Sequence, residues 1–288
     1  MQFGKNLSAI PPDTGLEMVI DHRSGNKLEL VIPVFNEEFR LGYLIEAYSK
    51  IVDIVLLDGG STDSTIKLAE KHKLTVFIRN GKENVGENHF IYYVNKHSKS
   101  GRCLYFFADE GISLRDLNTV DITLKQGNTV MAYRVDWVMG RSMVYPSCII
   151  PKGVCKGAIL YDSYNLHGSM KPTTKTGNII VTVHHFQVYK TAHDYGKIGN
   201  YINTEVQQYL ESNNFYRNFF RRYIFSEIIM RPRGIWRARK LGVTRGLWGI
   251  LLSLTIPLLA FMNLIEIRLG MSIDRQRLMY AKLFHSIL

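Results

Sequence analysis

Three apolar, β-rich runs early in the chain each break on residues that could do chemistry. Val31-Ile-Pro33-Val-Phe ends in Asn36-Glu37, Val55-Leu-Leu ends in Asp58 with Asp63 close behind, and Leu104-Tyr-Phe-Phe-Ala ends in Asp109-Glu110. A carboxylate placed at such a point can accept hydrogen bonds from a base or ribose, or hold a hard cation that neutralises a diphosphate. A cation held there acts as a Lewis acid for the departure of a nucleoside diphosphate. The competing reading of any one of these residues is a loop side chain that caps the helix after it. Three such ends in succession weigh against that reading for the set.

The elements around these residues must place them together. The run from Leu28 suits a buried strand, and apolar residues then recur at helical spacing between Glu38 and Lys50, at Leu41, Leu44, Ile45 and Tyr48. Val52 to Leu57 reads as a second strand and Asp63 to His72 as a second helix, with Ser61, Thr62 and Asp63 as caps. Leu74 to Ile78, Val85 to Lys96 and Arg102 to Ala108 continue as strand, helix and strand. Alternation at these lengths predicts an α/β fold with a mostly parallel sheet covered on both faces. Right-handed crossovers put the strand-to-helix loops at one edge, outside the carboxyl ends of the strands, where open α/β sheets bind ligands. Beyond about Gly111 the alternation loosens. Thr129 to Val135 and Asn178 to His184 read as strands separated by a Gly/Pro/Lys-rich loop region, and Tyr195 to Tyr209 and Phe215 to Met230 read as helices.

Composition narrows the partners. The 288 residues are 46% hydrophobic and 21% charged, which allows one large domain with an appendage, or two small ones, and argues against disorder. A net charge of +11 calls for an anionic partner, and much of it is concentrated late: Arg217 to Arg245 holds nine basic residues and one acid, Glu227. Gly246 to Ile265 follows with 20 uncharged residues interrupted by Pro257, and Trp236 and Trp248 bracket Arg245 at the junction. Charge beside apolarity predicts contact with an anionic membrane surface, peripheral or re-entrant more readily than spanning. The competing reading is a core or oligomer helix, and the chain is compatible with an oligomer. Nucleic acid is not expected, since no recognition motif or basic–aromatic interleaving appears. Three cysteines, Cys103, Cys148 and Cys155, without paired spacing argue against disulfides and zinc and for a reducing compartment. Met1 to Asn26 carries no continuous apolar stretch of the secretory kind, so the cytoplasmic face of the membrane is the expected location.

Val31-Ile-Pro-Val-Phe-Asn-Glu-Glu38 followed by Leu56-Leu-Asp-Gly-Gly-Ser-Thr-Asp-Ser-Thr65 resembles the opening of the family 2 glycosyltransferases. That resemblance implies a GT-A fold, Rossmann-like with a mostly parallel central sheet. It assigns Pro33, Asn36, Glu37 and Asp58 to the nucleotide pocket, with Asp58 near the base. Val85-Gly86-Glu-Asn88 matches the segment that lies beside the ribose. Phe106-Phe-Ala-Asp-Glu110 occupies the place of the family's metal motif. Asp109 matches the usual ligand of Mg²⁺ or Mn²⁺ and Glu110 the trailing acid, while Phe107 stands where a first Asp is expected. Small bacterial transferases of lipopolysaccharide-core or related sugars are the most similar subgroup, with an Ala-Asp-Glu motif, a His-containing loop and a basic, Gly-punctuated stretch before an apolar helix. The corresponding segments here are Tyr164-Asn-Leu-His-Gly-Ser169 and Arg239 to Gly249.

The resemblance thus implies a metal-assisted, inverting transfer from a nucleotide-sugar donor to a lipid-linked or other membrane-borne glycan. The expected organisation is an N-terminal extension at 1–27, a catalytic domain at 28–195 and a helical, membrane-associating region at 196–288. An inverting transfer needs a base for the acceptor hydroxyl, and His167 and Asp162 are the candidates, with Glu110 orienting the metal-bound water or the sugar. The subgroup's His-Glu pair is replaced here by His167-Gly168. His184 or His185, which alternate across a strand, could complete a metal shell or simply satisfy local hydrogen bonds. A non-catalytic GT-A scaffold that binds sugar or nucleotide is the rival from another class, favoured by Phe107 and the missing His-Glu acid. A nucleotidyltransferase would want a Gly-rich basic loop after the first strand, and Phe35-Asn36-Glu37 is not one.

Overall fold

A computed structural model describes residues 7–8, 11, 14–80, 86–138, 141–162, 170–173, 180–186 and 273–288. The chain divides into two compact units. Met1–Ala132, Ile150–Val183 and Ile287–Leu288 form the first, and Tyr133–Ile149 with His184–Ser286 form the second. Tyr164 to Ser169 with His167, the helices expected at 195–209 and 215–230, the basic stretch 217–245 and the apolar run 246–265 lie outside the described residues. Among the described residues, no helix is long and apolar enough to cross a membrane.

The first unit begins with the alternation read from the sequence. After two short strands, β1 (Leu7–Ser8) and β2 (Leu16–Ile20), come β3 (Glu29–Val34), α1 (Glu38–Tyr48), β4 (Asp53–Asp58), α2 (Thr65–Lys71), β5 (Thr75–Arg79), α3 (Glu87–Lys96) and β6 (Arg102–Tyr105). Then follow β7 (Glu110–Gly111), α4 (Leu114–Lys125), β8 (Val130–Val138), β9 (Arg141–Cys155), β10 (Ile159–Asp162), β11 (Met170–Pro172), β12 (Ile180–Phe186) and α5 (Ile273–His285). The large sheet has the order β2-β5-β4-β3-β6-β9-β8-β12-β7, and β1, β10 and β11 make a small antiparallel sheet. In the large sheet β5, β4, β3 and β6 are parallel, and this block is flanked by antiparallel β2 and β9.

Every residue of β3 is buried, as is β4 after its first, because helices cover both faces. Val31, Val55, Leu57, Phe77, Cys103 and Tyr105 pack on one side with Phe90, Ile91, Tyr93 and Val94 of α3. Pro33 is tolerated in this central strand for a local reason. The Val31 carbonyl accepts from Phe106 N at 3.1 Å, so the edge of β3 that carries Val31 and Pro33 faces β6, whose register ends at Val31↔Tyr105. Pro33 stands past that end and its missing N–H removes no ladder bond. At the other end of β3 the fully buried Glu29 carboxylate accepts from Lys99 N at 2.9 Å, Ser100 N at 2.7 Å and the Tyr93 hydroxyl at 2.6 Å.

Three features depart from the expectations. Leu16–Ile20, ahead of the expected domain start at 28, pairs with β5 as an edge strand. The helix Leu114–Lys125 forms where the alternation loosens in the sequence, started by the Ser113 side chain accepting from Asp116 N at 3.1 Å. The region between the strands expected at 129–135 and 178–184 is not simply loop, since it holds the 15-residue strand β9. Pro146, Pro151 and Gly153 read as breakers, but β6 pairs only with Gly153–Cys155, outside both prolines. Gly153 itself is needed for close approach: a Cβ there would lie 3.0 Å from Val130 Cβ and 3.3 Å from Val120 Cγ1.

Candidate functional site

The parallel register of β3 and β4 runs to Val34↔Asp58, so the loops that follow leave the sheet side by side. They are tied to each other by reciprocal bonds. Asn36 N donates to Ser61 Oγ at 2.9 Å, Glu37 N to Thr65 Oγ1 at 2.8 Å and Glu38 N to Asp63 Oδ2 at 3.1 Å. In return Asn36 Oδ1 accepts from Thr62 N at 2.7 Å and Asp63 N at 3.2 Å, and Glu38 Oε2 accepts from Ser64 N at 3.0 Å. The first amides of a helix have no partner within it. Here the first amide of α1, on Glu38, is capped by Asp63 from the loop before α2, while Asn36 and Glu38 hold the backbone of that loop just ahead of α2. Asn36 adopts a left-handed φ of 57°, a conformation that Asn reaches more readily than most residues and that aims its side chain across the gap.

Within this cluster Asp58 is 1% exposed and shapes its own loop. Its carboxylate accepts from Gly60 N at 2.9 Å, from Ser61 N at 3.0 Å and from Ser61 Oγ at 2.5 Å. A carboxylate offers about four acceptor positions, so most of Asp58's capacity is used inside the protein. Glu37 is similarly engaged, with both oxygens 2.8 Å from Nη1 of the buried Arg40. The structure brings Asn36, Glu37 and Asp58 together at one sheet edge and commits their oxygens largely to holding it.

Gly86 and Asn88 flank the start of α3. His89, 1% exposed, places Nδ1 3.2 Å from Gly86 N and 2.8 Å from the Asn88 side-chain oxygen. Burial first, and then the positive charge of Arg79, lower its pKa to about 4. The segment that the resemblance sets beside a ribose is therefore anchored through a neutral, buried imidazole.

The third strand end is a clasped turn. β6 stops at Tyr105, earlier than the expected Ala108, because the chain turns at Phe107–Glu110. Glu110 N donates to Phe107 O at 3.0 Å, and Phe107 N donates to Glu110 Oε2 at 2.9 Å. Glu110 is fully buried and its Oε2 also takes a 2.5 Å bond from Lys152 Nζ on β9. Lys152 is 1% exposed, with Nζ 5.2, 5.8 and 5.3 Å from the ring centroids of Tyr105, Phe106 and Phe107. Beyond the turn, the Tyr48 hydroxyl donates to Ile112 O at 2.7 Å and accepts from Ile112 N at 2.9 Å. Burial pushes that hydroxyl's pKa well above the ordinary phenol range, so it stays protonated. Asp109 sits on this turn, partly exposed.

The motif can be tested for a divalent cation. Phe107 offers no side-chain oxygen, Glu110 is buried and bonded to Lys152, and of the two acids Asp109 is the one that keeps partial exposure. Among the described residues, no group of three or more His, Cys, Asp or Glu side chains forms a metal cage. One carboxylate fits a hard cation such as Mg²⁺, which keeps several waters and takes further ligands from substrate phosphates. In the second unit, Trp137 Nε1 donates to His184 Nδ1 at 2.9 Å, and His185 Nδ1 lies 2.6 Å from Asp136 Oδ1. Burial would raise the Asp136 pKa, but His185 and Arg134 more than offset it and hold the group below its ordinary value. Both imidazoles thus have local partners. Asp162 ends β10 opposite Leu7.

Sequence reasoning missed Lys152, His89 and Tyr48. The one signal for Lys152 was a lone cation inside the otherwise apolar Cys148-Ile-Ile-Pro-Lys-Gly-Val-Cys155. His89 and Tyr48 sit at helical spacing on faces that also read as ordinary core.

No protein-family model matches the chain, and no curated protein matches it. Among solved structures, residues 1–349 of S. aureus TarS in complex with UDP align at 16% identity over 90% of this chain and 92% of that one, with a TM-score of 0.41. Glucosyl-3-phosphoglycerate synthase from Mycobacterium tuberculosis, in complex with Mn²⁺, UDP and glucosyl-3-phosphoglycerate, aligns at 19% identity with a TM-score of 0.32. The match takes in 38% of this chain and spans 45% of the synthase. Overlaps this loose assign the chain neither a fold family nor an activity.

The His89 environment predicts a pH effect of definite sign. The native state keeps the imidazole neutral down to about pH 4, whereas the unfolded chain takes up a proton near 6.5. This contribution is therefore complete above pH 6.5 and declines as pH falls towards 4, by about 3 kcal/mol in all. Between pH 7 and about pH 4.5 the parent should lose roughly 2–3 kcal/mol more stability than His89→Gln in urea denaturation. Equal losses in the two proteins would show that His89 is not held neutral.

Proposed function

We propose that this chain is a glycosyltransferase of GT-A type that moves a sugar from a nucleotide-sugar to a membrane-borne glycan. The observation that carries the proposal is the convergence of strand ends: the stapled loops after β3 and β4 and the clasped Asp109 turn after β6 all lie on adjacent strands of one parallel block. In this reading the sheet edge formed by Pro33, Asn36, Glu37 and Asp58 receives the nucleotide, and Gly86 and Asn88 border the ribose. Asp58 acts mainly by fixing the backbone of Gly60 and Ser61, which leaves that backbone rigid for the base.

Asp109 would hold a divalent cation, Mg²⁺ or Mn²⁺, which when bound neutralises the diphosphate leaving group. The chain's own residues do the rest. The staple holds the donor still, the Asp109 turn sets the position of the diphosphate, and a base takes the proton from the acceptor hydroxyl as its oxygen attacks the anomeric carbon with inversion. His167 and Asp162 are the candidates for that base. The basic stretch 217–245 and the apolar run 246–265 support a membrane-borne acceptor and a place at the cytoplasmic face. A second reading, a non-catalytic domain that binds nucleotide or sugar, draws on Phe107 and on the engagement of Glu110 by Lys152.

Two measurements test the proposal. Asp109→Asn should abolish the Mn²⁺-dependent part of UDP or GDP binding in calorimetry while leaving the thermal transition in place, and unchanged Mn²⁺-dependent affinity would remove Asp109 from the site. For the membrane, each basic residue near an anionic leaflet contributes about 1 kcal/mol that salt weakens, whereas apolar burial contributes about 25 cal/mol per Å² and survives salt. The full chain should therefore stay on anionic liposomes at high salt, and a chain ending before Gly246 should bind at low salt and wash off. Equal flotation of the two at high salt would make the apolar run a core or oligomer helix.

A further inference from the structure

We infer that Lys152 is a positioning residue for Asp109, acting through Glu110 on the turn that presents the aspartate. The inference deepens the proposed function and rests on it for the role of Asp109. The chain of contacts is short and lies within the first unit. Lys152 Nζ donates to Glu110 Oε2, and the same oxygen accepts from Phe107 N, adding a second bond across the Phe107–Glu110 turn beside its backbone bond. Asp109 is the residue between those two fixed points. Neither charge can serve the solvent, since Glu110 is fully buried and Lys152 is 1% exposed. The faces of Tyr105, Phe106 and Phe107 surround the ammonium and hold it on the carboxylate.

The position of Phe107 now has a physical account. Where the resembled motif places a first acid, this chain places a ring that helps cage Lys152. The buried cation in turn balances the buried trailing acid. A carboxylate left in that cage without its ammonium would be an uncompensated buried charge, which favours moving the group outward. Movement of Glu110 releases Phe107 N and leaves the turn on its backbone bond alone. Glu110 Oε1 has no hydrogen-bond partner, so Oε2 carries the whole of the side-chain clasp.

Removing both charges should cost much less than removing one. The side-chain amide introduced by Glu110→Gln would keep a carbonyl oxygen for Phe107 N and would need no counter-charge. The test compares the parent, Lys152→Met, Glu110→Gln and the double variant, each far below its thermal transition. The readouts are Mn²⁺-dependent UDP and GDP affinity and hydrogen exchange of the peptide covering Tyr105 to Ile112. Lys152→Met should weaken the Mn²⁺-dependent affinity at least tenfold, leave metal-free nucleotide affinity within about threefold, and speed exchange at that peptide. Adding Glu110→Gln should restore both affinity and protection to within about threefold of the parent.

Equal weakness in the single and double variants would mean that Lys152 acts directly on the ligand, and the positioning role would be wrong. Parent-like affinity and exchange in Lys152→Met would reduce the pair to a core contact. If the parent binds neither diphosphate, the proposed function falls. The exchange data then still decide whether Lys152 holds the turn.

Discussion

Two neighbouring parallel strands end at the same level, and the helices that follow them must begin with amides that no helix can satisfy from within. The protein meets this constraint in part by tying the two approaches together, Asp63 capping Glu38 N of α1 and the amides just ahead of α2 being held in return. Asn36 and Glu38 reach into the loop before α2, while Ser61, Asp63 and Thr65 take the amides of residues 36 to 38. Each loop is thereby defined by the other, and a shift of either breaks several of these bonds at once. The rest of the candidate site inherits that rigidity. Asp58 folds the Gly60–Ser61 backbone under it, and Ser61 links this turn back to Asn36.

The third strand end is held by a different kind of force. Where the first two loops use neutral and charged hydrogen bonds at a partly exposed edge, the Asp109 turn is fastened by a fully buried ion pair. Such a pair seldom adds much net stability, because desolvating two ions offsets most of their attraction. Its value lies in geometry: the pair is favourable only when Glu110, Phe107 and Lys152 are all in place. Tyr48 fixes the next residues through both backbone groups of Ile112. An aspartate between two such anchors has little freedom, which is the condition for holding a reacting group at a set distance.

Much of this is legible in the residues. The strands and helices from Glu29 to Tyr105 follow from hydrophobic period and from polar breaks, and the breaks mark the candidate site. Helix α2 starts two residues later than its pattern suggests, because Ser61 to Ser64, which look like caps of their own helix, serve the neighbouring loop as well. Strand β9 is hidden by Pro146, Pro151 and Gly153, residues that interrupt a strand pattern, and its partner β6 lies far away in the chain, Arg102 pairing with Cys155. The apolar run around Lys152 hints at its burial, but its role is not legible because its partner Glu110 is 42 residues away. The side chains of Asn36, Glu37 and Asp58 read as ligand contacts, whereas their oxygens mainly build the loops that would make those contacts.

The central claim is that the stapled loops and the Asp109 turn form one nucleoside-diphosphate site. Amide-resolved NMR of the chain, titrated with UDP and GDP in the presence of Mg²⁺ and then with traces of Mn²⁺, addresses it most directly. The account predicts shifts confined to residues 34–37, 58–61, 86–88 and 107–110, with Mn²⁺ broadening strongest around Asp109. Perturbation centred elsewhere, or shifts at the stapled loops without broadening at the Asp109 turn, would contradict it.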